Sequence, residues 1–356
     1  MRKVKREYLI RAELPLMVEI GEGPRKGVRN LINDLGVSNV VMLTGHTSYE
    51  LAGSKIEERI SDVLVNKFFV RESGTHEVRR IEIEVGYSDV DCVVGVGGGK
   101  VLDIAKVLAS EINVPFISIP TVASHDGIAS PLATFKENGH PISISTKPPA
   151  AVIADLVVLK HSPIRLLRSG FGDLLSNITA VMDWKLAKDK LGEEYNEVAA
   201  SMALMPANLM LSPRRLDFKE INDLEMLVRG LVLSGVAISL VGSSRPASGA
   251  EHKFNHALNY LGYGKGTHGE TVGLGAIMMA YLHEKYYGSG DWHTIRMALE
   301  NSQAPTTLKE VELSKEQCIE ALEYTKEIRK KRYTILEDVN PSRDELELML
   351  KKTELI

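Results

Sequence analysis

The stretch Cys92-Val-Val-Gly-Val-Gly-Gly-Gly-Lys-Val-Leu-Asp-Ile-Ala-Lys106 decides the fold. Its first part, Cys92–Val96, is apolar throughout and reads as a strand; Gly97–Gly99 reads as a turn, and Val101 to Ser110 carries a helical pattern. A strand that is apolar at every position is buried on both faces, the situation of a parallel sheet covered by helices. Working outward, Val40–Leu43, Lys67–Val70, Phe116–Ile119 and Ala151–Ala154 with Leu156–Leu159 repeat the strand reading, separated by helical patterns. At Ser162-Pro163 the texture changes, with Ser162 expected as an N-cap and Pro163 in a first helical turn. Helical periodicity then dominates over 164–190, 193–209, 223–241, 249–261, 267–286, 314–332 and 342–352. The expected organisation is an α/β parallel-sheet domain, residues 1–161, followed by an all-α domain, residues 162–356.

The chain has 356 residues, consistent with two domains of about 150 residues or more. Lys and Arg number 43 against 47 Asp and Glu, a net charge of −4 of mixed sign, which excludes a dedicated nucleic-acid binder needing a clustered positive face. Hydrophobic residues make up 44%, enough to exclude wholesale disorder. Cys92 and Cys318 cannot build a disulfide framework or a Cys-rich zinc site. The charged start, Met1-Arg-Lys-Val-Lys-Arg6, is followed by no leader-like apolar run, and Gly230–Gly242, broken by Ser234 and Ser239, falls short of the ~20 residues of a membrane span. A cytoplasmic, soluble protein is expected.

Strand, Gly97-Gly98-Gly99-Lys100, then helix is an arrangement that cradles phosphate, because glycines admit close backbone approach and the helix start offers free N–H groups. It lacks the third glycine of the Gly-x-Gly-x-x-Gly fingerprint, and a plain tight turn is its other reading. A second loop, Pro120-Thr-Val-Ala-Ser-His-Asp-Gly-Ile-Ala-Ser130, follows the next strand. It brings Thr121, Ser124, Ser130 and Asp126 to the same carboxyl edge of the sheet, where ligands of parallel sheets bind. Its bland reading is a capping and turn segment.

In the helical half, Leu167, Leu174, Ile178 and Val181 form a core stripe, while Asp173 lies with Ser169, Ser176, Asn177 and Ala180 on a small, partly polar face. That face is expected to wall a cavity; a solvated face is the alternative. His252 and His256 share one side of a helix, and His268 follows in Thr267-His-Gly-Glu270, where Thr267 and Glu270 form a capping box. One carboxylate with two or three imidazoles suits zinc or another borderline divalent metal. Catalytic zinc keeps an open position, so Asp173, His252 and His268 would fill three places and His256 would face substrate. His46, His76, His140, His161, His283 and His293 are scattered and read as packed or surface residues.

Gly97–Asp103, Ile119–Asp126, Gly170-Phe-Gly-Asp173, Ser248-Gly-Ala-Glu-His252 and His268-Gly-Glu270 together resemble the metal-dependent dehydrogenases related to glycerol dehydrogenase and dehydroquinate synthase. The variants Ser124–Ser130 and Ser244–His252 look most like the sn-glycerol-1-phosphate dehydrogenase family. The match is good over 90–285, loose over the first strands and slight over the last seventy or so residues. The resemblance implies a Rossmann-like α/β domain and an all-α, dehydroquinate synthase-like domain with a cleft between them. It implies reduction of dihydroxyacetone phosphate to sn-glycerol 1-phosphate, the backbone of archaeal-type phospholipids, with NADH or NADPH. It implies cofactor contacts at Gly97, Gly98, Gly99, Lys100, Val101, Thr121, Val122, Ala123, Ser124 and Ser130. It further implies zinc on Asp173, His252 and His268, substrate contacts from Asp126, Asp173 and His256, and a homo-oligomer.

In that chemistry zinc polarises the ketone oxygen, and the proton for the alkoxide comes from His256 or from a metal-ordered water linked to Asp126. The loop Thr44-Gly45-His46 lacks the acidic residue that would hold a ribose 2′-hydroxyl, so NADPH is expected to serve as well as NADH. Arg245 and Lys253 flank the metal helix as candidates for the substrate phosphate, Arg245 having a structural ion pair as its other reading. Rival functions are a glycerol or other polyol dehydrogenase of the same superfamily and a catalytically silent nucleotide- or metal-binding protein. A silent relative has no physical reason to keep a charged helix face turned inward.

Overall fold

The strands in the computed structural model, which describes residues 12–23, 27–86, 89–137 and 140–356, are β1 (Met17–Gly21), β2 (Val40–Thr44), β3 (Leu64–Phe69), β4 (Cys92–Gly97), β5 (Phe116–Pro120), β6 (Leu132–Glu137), β7 (His140–Ser145) and β8 (Ala151–Asp155). Residues 1–6, read above as a charged start without a leader, lie outside the described residues. Six strands form one parallel sheet in the order β1-β8-β5-β4-β2-β3, and β6 and β7 form a separate antiparallel hairpin. The sheet interior is β8, β5, β4 and β2, and the fully buried pattern of all four follows from helices on both faces. One face packs Val40, Met42, Val94 and Ile117 on Val28, Ile32, Ile56 and Ile60. On the other, Val41, Leu43, Val93 and Phe116 join a core that runs on through Leu102, Leu174, Leu231 and Leu274 into the helical half.

The strand expected at Leu156–Leu159 is the helix Leu156–Lys160. Asp155 ends β8 and its carboxylate accepts from the Val157 N–H (2.9 Å), so a single N-cap converts an apolar run from strand to helix. Ser162 is not the N-cap of the next helix; Pro163 holds that place, and the Ser162 hydroxyl donates instead to the Thr121 carbonyl (2.9 Å). From Leu156 on, every described element is helical. The long helix Ile164–Leu191 is central, and the residues assigned above to a cavity wall, Ser169, Ser176, Asn177 and Ala180, are packed against neighbouring helices. Asn177 Nδ2, for example, donates to Ser234 Oγ (3.1 Å). Helices expected from 193 and through 332 are shorter: one starts at Glu197, and another ends at Tyr324 and gives way to a short 3-10 turn. Of the stretch Gly230–Gly242, all but the capping Gly242 belongs to the helix Ile221–Val241, which by length and composition alone could cross a bilayer; here Leu224, Leu227, Val228 and Leu231 are buried in the core.

Candidate active site

The glycine turn is tight because of its neighbour. A Cβ on Gly97 would come 2.6 Å from Val101 Cβ, so the helix Gly99–Glu111 can start hard against β4 only if the strand ends in glycine. Gly98, the N-cap, accepts no side-chain cap, leaving the first N–H groups of the helix for a ligand. The second loop is tied to the first through Thr121 N–H and the Gly97 carbonyl (2.9 Å). A buried Lys106 from the same helix donates to the carbonyls of Gly127 (3.0 Å) and Leu132 (2.7 Å), and Asp103 accepts from Thr134 N–H (3.1 Å). Burial lowers the Lys106 pKa, and Asp103 works against that shift. These bonds hold the segment carrying Asp126 and Ser130 over the sheet edge.

On the helical side, Asp173 sits in the middle of Ile164–Leu191, His252 in the first turn of Ala250–Leu261, and His268 at the start of His268–Tyr287. Three helices converge because two of them touch through backbone: a Cβ on Gly269 would overlap the Ser169 carbonyl, and one on Gly172 the Gly269 carbonyl. The Glu270 half of the expected capping box forms, its carboxylate accepting from Thr267 N–H (2.7 Å) and from Arg165 Nε (2.7 Å). Asp173 Oδ1 lies 3.2 Å from His268 Nε2 and 3.4 Å from His252 Nε2, and one donor atom from each residue lies within 4.8 Å of the other two.

The outer nitrogens are held as well. His252 Nδ1 is 2.9 Å from Glu251 Oε1, whose other oxygen accepts from Thr179 (2.9 Å), and His268 Nδ1 is 2.9 Å from the Asn255 amide. Such partners fix ring orientation in metal sites. Burial works against a charge on His252, yet Asp173 and Glu251 outweigh it and raise its pKa to about 9. Asp173 itself is held well below the carboxylate range by both histidines despite burial. A site that binds a proton this firmly between two buried carboxylates is short of positive charge, and its donors, one carboxylate and two imidazoles, fit a borderline divalent cation.

Asp126 N–H donates to Asp173 Oδ2 (3.0 Å) and Asp126 Oδ2 accepts from Ser234 (3.0 Å); burial and the Asp173 charge push Asp126 up to about 7. His256, one turn beyond His252, is kept neutral by burial and by Arg329. A cleft of about 330 Å³ is lined by Gly99, Lys100, Ser130 and Asp126 from the sheet side and by His252, His256, His268 and Arg329 from the helical side. Gly97, Gly98, Val101 and Thr121–Ser124, expected as cofactor contacts, are not among the residues that line it.

Arg245 forks onto Glu193 and donates to the Tyr333 carbonyl (2.9 Å), and Lys253 pairs with Glu337; neither lines the cleft. The sequence reading passed over His125, whose ring stands edge-on to His268 at 6.1 Å, and also Glu251, Asn255, Ser234 and Arg329. Of these only Glu251 carried a signal, as a carboxylate beside a candidate ligand histidine. Of the histidines set aside, His283 pairs with buried Asp183 (2.9 Å) and His46 stacks on Phe69.

Residues 19–163 match the sequence profile of the iron-containing alcohol dehydrogenases. Among solved structures, glycerol dehydrogenase from Schizosaccharomyces pombe superposes with a TM-score of 0.78 at 17% identity, over 98% of this chain and 94% of its own. Sulfoacetaldehyde reductase from Bifidobacterium kashiwanohense, solved with NAD+, gives 0.74 at 17% identity, over 97% and 99%. These likenesses establish the fold: a parallel-sheet domain followed by a helical one. The glycerol-1-phosphate dehydrogenase (NAD(P)+) of Archaeoglobus fulgidus is 56% identical over 342 residues, 96% of this chain and 97% of its own. That of Methanothermobacter thermautotrophicus is 40% identical over 348 residues, 97% and 98% of the two chains. With identity of this order along almost the whole length, the chain belongs to the glycerol-1-phosphate dehydrogenase family.

Proposed function

We propose that the protein reduces dihydroxyacetone phosphate to sn-glycerol 1-phosphate with NADH or NADPH, supplying the glycerol backbone of archaeal-type phospholipids. The observation that carries this is the meeting of Asp173, His252 and His268 across one cleft from the open helix start at Gly99. Asp173, His252 and His268 would hold zinc, which as a Lewis acid would polarise the ketone oxygen and stabilise the alkoxide. The dinucleotide would lie along Gly97–Val101, Thr121–Ser124 and Ser130, where a reduced nicotinamide supplies the hydride. Residues 1–161 would then serve as the cofactor domain and 162–356 as the metal and substrate domain.

Asp126 and His256 both line the cleft, and either could carry the proton that completes the product hydroxyl. Ser234 and the contact with Asp173 orient Asp126, while His256, as a neutral imidazole, has one nitrogen to donate and one to accept. The segment Thr44–Ser48, the end of β2 and the helical turn that follows Gly45, has no carboxylate, which supports use of both cofactors. A homo-oligomeric, cytoplasmic enzyme is part of the same reading.

The deciding experiment is an assay of metal-replete protein with dihydroxyacetone phosphate and each reduced cofactor, with the chirality of the product determined. Faster turnover of a phosphate-free polyol would favour the polyol dehydrogenase reading, and no NAD(P)H consumption at all the silent one. His268→Ala is expected to lose metal and turnover together while keeping nucleotide binding; full activity in that variant would contradict the ligand set.

A further inference from the structure

Among the described residues, two Lys or Arg side chains line the cleft. Lys100 stands at the glycine turn, with its ammonium on the Arg71 carbonyl (3.1 Å), where a dinucleotide would lie. Arg329 stands at the other end, beside Ser248, His252, Asn255, His256 and Asn259. It comes from the segment after the helix Lys315–Tyr324 and has φ at +45°, a left-handed conformation that costs a side-chain-bearing residue energy and persists where the surroundings impose it.

Arg329 Nη1 donates to Ser248 Oγ (3.0 Å), and Arg332 donates to the backbone carbonyl of the same Ser248. Among the described residues no carboxylate comes within ion-pair distance of either guanidinium. Glu251, the acid that acts on Arg329, has its oxygens on His252, Gly249 and Thr179, and Glu193, the acid that acts most on Arg332, is forked by Arg245. Burial and mutual repulsion act against the charge of Arg332, and burial against that of Arg329. Arginine stays protonated in proteins, so two neighbouring guanidiniums without a counter-ion amount to an unmet demand for an anion. A second cavity of about 390 Å³, which Arg329 also lines, opens between Arg245, Lys330, Lys331 and Arg332, and among the described residues Glu193 is the one acid that lines it. That mouth is positive and would steer anions inward.

We propose that Arg329 grips the phosphate of the substrate, with the Ser248 hydroxyl as second donor and Arg332 as the charge behind it. A guanidinium fork matches two phosphate oxygens, and the hydroxyl that accepts from Arg329 keeps its own proton to give. This assignment rests on the reading of the substrate as dihydroxyacetone phosphate. It explains how an enzyme whose two flanking cations, Arg245 and Lys253, are already paired can still distinguish a phosphorylated ketone from a bare one.

The test compares kcat/KM for dihydroxyacetone phosphate and for dihydroxyacetone, the same ketone without phosphate, in metal-replete wild type, Arg329→Gln and Arg329→Lys. The preference for the phosphorylated ketone is expected to fall about 50-fold or more in Arg329→Gln, mainly through KM, and by less in Arg329→Lys, which keeps the charge but loses the fork. NAD(P)H binding, followed by fluorescence, checks that each variant is folded, and Arg329→Lys carries the test if the Gln variant is not. A preference within threefold of wild type in the folded variants overturns the phosphate assignment alone. A wild-type enzyme that shows no preference for the phosphorylated ketone overturns the substrate reading and the subsite with it.

Discussion

A single carboxylate outside the ligand set illustrates how much of the site is orientation. Glu251 is buried and does not line the cleft, yet it fixes His252 by its Nδ1 and is itself fixed by Thr179. Glu251→Gln keeps the shape and removes the charge that strengthens His252 as a donor. Metal affinity, measured by competition with a chelating dye, is expected to fall about 10- to 100-fold, with NAD(P)H affinity unchanged. Unchanged metal affinity would reduce Glu251 to a packing residue. At this scale the sequence was legible where chemistry is local: Asp173, His252 and His268 stand out by type and spacing. Arg329 did not, because it sits in the charged run Lys326–Arg332 at the end of the helical pattern 314–332, and only the fold bends it back over Ser248.

At the scale of elements, the contact between Ile164–Leu191 and His268–Tyr287 sets the position of two of the three donors. Gly269→Ala places a methyl group on the Ser169 carbonyl, which neither helix can avoid without moving. A loss of about 3 kcal/mol or more in chemical denaturation is expected, accompanied by weakened metal retention. Normal stability and normal metal content together would mean the helices have slack here. The start of Ile221–Val241 offers a separate prediction. Asp223 takes Arg214 Nη1 (3.0 Å) and the Asp217 N–H (2.8 Å), which outweigh burial and hold its carboxyl below the usual range.

A folded-state pKa below the unfolded one means the unfolded chain takes up the proton first as pH falls. The contribution is therefore present above about pH 4 and lost below it. Asp223→Asn is expected to cost about 1–2 kcal/mol at pH 7, the lower end because Arg214 is half exposed, and to flatten the acid limb of the stability profile. A variant as acid-sensitive as the wild type would show that another carboxylate governs that limb.

For the whole molecule, cofactor choice is the quantity the sheet edge is expected to control. With no carboxylate in Thr44–Ser48, NADPH is expected to turn over within about tenfold of NADH in steady-state assays, and inert NADPH would contradict it. The sequence by itself determined the parallel sheet, a switch to helices, which it put at residue 161 where the structure has it after Asp155, and the residue types of the candidate metal site, because each is written in hydrophobic period or in side-chain chemistry within a short window. It did not reveal the edge strand β1, half exposed and of mixed pattern, or the β6–β7 hairpin, and it misread Leu156–Leu159, where one N-cap outweighs β-branched propensity. Tertiary structure alone decided that Arg245 and Lys253 are spent on Glu193 and Glu337 while Arg329 faces the cleft. The reason is physical: a charge takes its role from the partner that reaches it first, and those partners lie 52 and 84 residues away along the chain.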